Sequence, residues 1–139
     1  MNEKLYEEIA STYRFFLSWR HAAFAGNLLV VYGATSLTLT ALEKAPSIAW
    51  LVPALAAPIG VLLWVIDVRT RDLYHATIKA GTVVEGGVGA LFTQLNRVAF
   101  PPGTSPLKHL SQSAAINVFF LGSSLVSAVL AVALYITGA

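Results

Sequence analysis

The chain has 139 residues, no cysteine, and 12% charged against 56% hydrophobic side chains. That is about half the charge of an ordinary soluble domain, so the length allows one compact unit, and a disulfide framework or thiolate metal site is excluded. Nine Lys and Arg against seven Asp and Glu leave a net charge of +2, too small and too dispersed for a nucleic-acid-binding surface.

In residues 1–21, Leu5, Ile9 and Phe16 recur at helical spacing beside Tyr6, Tyr13, Leu17 and Trp19, with Glu3, Glu7, Ser11, Arg14 and Ser18 opposite. The pattern predicts an amphipathic cytoplasmic helix that packs on another segment or lies on the membrane surface. Its glutamates favour packing, because anionic headgroups repel them. They also argue against a secretory signal peptide, so the first span is expected to act as its own uncleaved signal-anchor.

Residues 22–66 read as a transmembrane hairpin. Residues 22–42 form an uncharged run of 21, and residues 47–66 an uncharged run of 20, separated by Glu43, Lys44, Ala45 and Pro46. At about 1.5 Å per residue each run covers roughly 30 Å, the thickness of the hydrocarbon layer. In the first span Ala22, Gly26, Gly33, Ser36 and Thr40 make a small-residue face suited to close helix approach, with Asn27, Ala34 and Thr38 on the neighbouring face. Asn27 requires a hydrogen-bond partner on an adjacent helix or an aqueous path. In the second span Pro53 and Pro58 are expected to kink the helix beside Ala54, Ala56, Ala57 and Gly60. Trp50 marks one membrane interface, and Trp19 and Trp64 the other. The short turn makes the spans antiparallel, and counting outward from it sets Arg20 beside Asp67 as an interfacial ion pair.

Residues 67–112 form a cytoplasmic helix and loop. Leu73, Thr77, Ala80, Val84, Val88, Leu91 and Leu95 make one helical stripe, which predicts a helix from the membrane to about Asn96. Gly81, Gly86, Gly87 and Gly89 weaken it and mark a hinge, a close crossing or a break. The stripe is expected to face that of residues 1–21 in a small cytoplasmic layer. The run GTVVEGGVG is not a phosphate loop, since no Gly-Lys-Ser/Thr follows and no strand precedes it. A loop through Pro101, Pro102 and Gly103 follows, with Ser105 and Pro106 as a helix start before Lys108 and His109.

Residues 113–139 carry the third span, apolar over 114–136. Asn117, Ser124, Ala128, Ala131 and Tyr135 share a stripe with Ser127 beside it, while Phe119, Val126, Val129 and Ala133 suit lipid. Eight of the nine basic residues fall in residues 1–20 and 69–108. The positive-inside rule therefore puts the N-terminus and long segment in the cytoplasm and the Glu43 turn and C-terminus outside. The expected fold is thus an all-α integral membrane protein with three transmembrane helices.

No constellation for catalysis stands out. His21, His75 and His109 lack metal-ligand spacing. No acidic residue lies mid-span, as proton-coupled transport would need, and no nucleophile–base order or carboxylate pair shares a face. Neither an enzyme nor a cofactor is expected. Trp19-Arg20-His21 leading into the two-span hairpin, closed by Asp67-Val68-Arg69-Thr70-Arg71-Asp72 and a cytoplasmic helix, resembles the SLATT-type small membrane effectors of bacteria or related three- and four-span families. The resemblance covers about residues 13–97. It implies a membrane-perturbing or pore-forming oligomer of the inner membrane, acting in signalling or antiviral defence and triggered by a separate cytoplasmic sensor.

The leading expectation is a homo-oligomeric membrane effector in contact with the lipid bilayer. Asn27, Thr38, Asn117 and Ser124 would line a pore or bond between helices, and Gly26, Gly33, Gly60 and Ala128 would pack helices. The alternative is a non-catalytic anchor or scaffold that docks a soluble partner on Arg71, His75 and Lys79. A small-solute carrier, suggested by the kinked second span, lacks charged residues at mid-depth.

Overall fold

The computed structural model describes residues 3–86, 91–99 and 112–138, and among these every regular element is helical. Helix α1 (Glu3–Lys44) is continuous. No helix break marks the boundary expected near residue 21 between amphipathic helix and span, since no Gly or Pro precedes Gly26, and the compact units divide there within α1. Glu3 in its first turn and Lys44 in its last complement the helix dipole.

A single 3-10 turn (Pro46–Ile48) reverses the chain, with Pro46 in its first turn and Ala49 donating its amide to Pro46 O at 3.1 Å. Helix α2 (Leu51–Val84) follows. Pro53 is its third residue, where an amide would have no helical acceptor in any case, so only Pro58 interrupts the interior ladder.

The helix expected to run to Asn96 ends instead at Val84, and a separate α3 (Leu91–Ala99) follows. Gly86 takes a φ of +62°, which terminates the right-handed helix and which a side chain would resist. The glycine cluster thus marks a break. Gly87, Val88 and Gly89, and the stretch holding Pro106, Lys108 and His109, lie outside the described residues. Helix α4 (Gln112–Thr137) carries the last apolar run.

By length and composition three helices are long and apolar enough to cross a membrane: Glu3–Lys44, Pro46–Val84 and Ala114–Thr137. The chain divides into two compact units. The first comprises Met1–Ala22 and Asp67–His109, the second Ala23–Ile66 and Leu110–Ala139.

In the second unit α1 and α2 are antiparallel, and α4 runs parallel to α1. The register follows from Phe24 against Phe119 (ring centroids 5.3 Å), Asn27 against Ser123, and Trp50 edge-on to Tyr135 at 5.4 Å. Ala23, Ala49, Pro53, Ala56, Phe120 and Ala131 fill the seam. Large apolar side chains such as Leu29, Leu55, Leu125 and Val129 face outward, as a lipid-facing surface requires.

In the first unit α1 and α2 are also antiparallel, with Tyr13 stacked on Tyr74 at 4.9 Å and Arg20 against Asp67. Phe92 of α3 is fully buried, edge-on to Tyr6 at 5.6 Å and to Tyr13 at 5.8 Å. The apolar stripes expected to face each other flank an open groove of about 390 Å³ lined by Leu5, Ile9, Phe16, Leu73, Thr77 and Ala80. The contact instead runs along the tyrosine side, where Tyr13 meets Tyr74 and the Phe92 ring of α3.

Candidate functional site

The intramembrane polar residues converge on the seam of the second unit. Asn27 is 1% exposed, and its Nδ2 donates to Ser123 Oγ at 3.3 Å. The Ser123 and Ser124 hydroxyls both donate to Phe120 O, at 3.0 and 2.9 Å. Across from them stands Gly60, where any Cβ would strike Ser124 Oγ and sit 3.6 Å from Asn27 Oδ1. Glycine at position 60 is what lets α2 approach α4 at this level. Thr38 is also buried, and its hydroxyl is spent on Ala34 O of its own helix at 2.7 Å.

Three buried polar atoms here have no hydrogen-bond partner: Asn27 Oδ1, Asn117 Oδ1 and Trp64 Nε1. Two are acceptors and one a donor, so the seam keeps an unspent polar capacity that is costly in an apolar surround. Asn27, Thr38 and Ser124 are thus buried within one chain, and Asn117 is half-buried. A side chain lining an axis shared by several chains would instead be uncovered in each.

The residues expected to pack helices divide. Gly60 is at a contact, whereas a Cβ at Gly26 or Gly33 would meet nothing within 4 Å and Ala128 is exposed. Gly122 is equally open. It lies in a groove of about 470 Å³ between α1 and α4, lined also by Val31, Thr35, Leu39, Val126 and Ser127, with Pro53 of α2.

In the first unit Arg20 Nε donates to Asp67 Oδ1 at 2.9 Å, with the side chains 11% and 0% exposed. Asp67 Oδ2 is buried without a hydrogen-bond partner. The most elaborate polar site is at Glu85, which the sequence reading treated only as part of a glycine run. One carboxylate oxygen accepts the Phe92 amide at 2.8 Å and the other the Thr93 amide at 2.8 Å and hydroxyl at 2.9 Å, while the Tyr6 hydroxyl approaches the first at 3.4 Å. Glu85 therefore caps α3 from outside it and ties the ends of three helices together.

Burial opposes ionisation of Glu85, but the amides of Phe92 and Thr93 and the two hydroxyls outweigh it and hold its pKa below the ordinary glutamate value. Gly81 completes the joint: a Cβ there would run into the Phe92 ring. Burial, together with its bond to Tyr74, pushes the Tyr13 hydroxyl up to about 12. His75 is driven below its usual value first by burial and then by Arg71 and Arg20, with Asp72 opposing. Arg71, His75 and Lys79 recur at four-residue spacing along α2.

Among the described residues no three His, Asp or Glu side chains are grouped as a metal site. The polar groups that do converge serve helix joining. No protein-family model, curated protein or solved structure matches the chain.

Proposed function

We propose that this chain is a non-catalytic, multi-pass protein of a bacterial inner membrane that works as a homo-oligomeric effector, with its N-terminus in the cytoplasm and its C-terminus outside. The observation that carries the reading is the state of the small residues. Among the described residues Gly26, Gly33 and Gly122 have nothing within 4 Å of where a Cβ would sit, and Gly122 borders an open apolar groove. In lipid, small residues at a helix surface let a second backbone approach, and van der Waals packing then drives association. The tight two-span hairpin and its SLATT-type resemblance support the same reading. Because Asn27, Thr38 and Ser124 are taken up inside the chain, any path through the membrane belongs to surfaces between copies.

The test replaces Gly26 and Gly33 together by Leu, which the open space tolerates within the fold. Crosslinking in native membranes should fall from oligomer to monomer with helicity unchanged. In sealed vesicles, dye release should rise more steeply than in proportion to protein density and vanish in the double variant. Wild-type assembly by the double variant overturns the reading of the glycine face, and tight vesicles holding the oligomer overturn the membrane-perturbing role.

The second reading, a scaffold that docks a soluble partner, is favoured by the Arg71–His75–Lys79 strip, where two basic side chains flank a histidine whose pKa is lowered by burial and by neighbouring cations. Crosslinking from Lys79 that captures only copies of this chain would count against it.

A further inference from the structure

We infer that Arg69 and Trp19 form a site for the phosphate of an anionic phospholipid, at the level where the hairpin leaves the hydrocarbon layer. The inference rests on the chain spanning a bilayer and not on self-association. The uncharged run of α2 ends at Ile66, so Arg69, three residues on, stands roughly 4.5 Å beyond it along the helix, in the headgroup layer. Arg20 against Asp67 sets the register of the two antiparallel helices. One residue back on α1 and one forward on α2, Trp19 is level with Val68, beside Arg69. Helical phase puts Trp19 and Arg69 on the same side of the hairpin. Trp19 follows Thr12 by seven residues and Phe16 by three, and Arg69 precedes Leu73 by four and Ala76 by seven; those four residues line the two walls of one groove. Trp19 is 49% exposed, and Arg69 is exposed as well.

Both side chains bring hydrogen-bond donors to this level and neither brings a strong acceptor. The guanidinium carries five N–H groups and the indole one, and among the described residues no ion pair or hydrogen bond uses them. Asp67, the acid nearest to Arg69 in sequence, is fully buried against Arg20. Asp72 is exposed one turn further from the hydrocarbon layer. The positive charge left at the membrane edge is therefore met by what the headgroup layer supplies, which is phosphate oxygen. A planar guanidinium takes two phosphate oxygens in parallel, while the indole offers its face to the cation and its N–H to a further oxygen. A zwitterionic headgroup carries its own cation to compensate the phosphate, whereas a net-negative one does not, so the site selects the anionic lipid. Free phosphate presents the same oxygens but lacks the acyl chains that hold the group at this depth.

The test reconstitutes the full-length protein in vesicles of equal phosphatidylglycerol and phosphatidylcholine, then releases it into mild detergent for native mass spectrometry. The wild type should retain phosphatidylglycerol about fivefold over phosphatidylcholine, the scale of one basic side chain at an anionic surface. Arg69→Gln should abolish the preference with helicity unchanged. Arg69→Lys, which keeps the charge and loses the planar fork, should retain part of it. Trp19→Leu should weaken it. Lys4→Gln removes an equal charge at an exposed position roughly 24 Å from Arg20 along α1 and should change nothing. Equal retention of the two lipids by the wild type overturns the inference, as does a wild-type preference in Arg69→Gln. An equal fall in Lys4→Gln overturns it in favour of net charge alone. If excess inorganic phosphate strips phosphatidylglycerol from the wild type, the site takes free phosphate and the lipid assignment falls.

Discussion

Replacing Glu85 by Ala removes the acceptors of two backbone amides and one buried hydroxyl at once. An N-cap is worth about 1 kcal/mol, and hydrogen bonds to a charged acceptor about 1.5–3 kcal/mol each. These bonds act on one short helix and are not additive, so a loss of about 2–3 kcal/mol is expected for the α3 joint. Amide hydrogen exchange read in detergent or nanodiscs should therefore accelerate at Phe92 and Thr93 by roughly 30- to 150-fold. Amides in the middle of α4, at Leu125 and Val126, belong to the other unit and should be unchanged. Glu85→Gln keeps a neutral acceptor and should fall between wild type and Glu85→Ala.

The pH dependence has a fixed sign. The folded pKa lies below the unfolded one, so the contribution is fully present above the unfolded value of about 4.3 and is lost as pH falls through the folded value. Protection at Phe92 and Thr93 should hold constant from neutral pH to about 5 and decline only in acid. Unchanged exchange at both amides in Glu85→Ala would refute the capping role outright.

Removing Arg20 should cost about 3–5 kcal/mol, because Asp67 is fully buried and would keep an uncompensated charge. In thermal unfolding Arg20→Ala should be more damaging than Arg20→Ala with Asp67→Asn, and the reverse order would refute the pairing energetics. Gly81→Ala should destabilise the α3 joint by about 1–3 kcal/mol through overpacking against Phe92. Phe92→Leu should relieve part of that cost, and strict additivity in a double-mutant cycle would argue against the contact. Gly60→Ala should lower the thermal midpoint by displacing Ser124, whereas Gly26→Ala, facing open space, should leave it unchanged or raise it slightly through helix propensity.

The spans were legible because uncharged length is a direct physical requirement of a bilayer. The Arg20–Asp67 level was legible because a four-residue turn leaves little freedom in hairpin register. Which face of α1 turns inward was not. In lipid both small and polar residues mark helix contacts, and hydropathy does not separate the Asn27–Thr38 face, which is buried, from the Gly26–Gly33 face, which is not. The change of environment near residue 21 falls where the compact units divide, between Ala22 and Ala23, but that α1 continues through it was not legible from the change of composition. Glu85 carried no signal at all. A capping box spans three residues, whereas this carboxylate reaches seven and eight residues ahead to Phe92 and Thr93.

A greasy rod among other greasy rods has little reason to stop at one depth, since sliding by a turn trades one set of methyl contacts for another. The amide of Asn27 on Ser123, with Trp50 locked edge-on to Tyr135 further along, acts as a vernier for α4. A helix delivered to the bilayer after its two neighbours would be drawn past mismatched settings until the Asn27 carboxamide found the Ser123 hydroxyl.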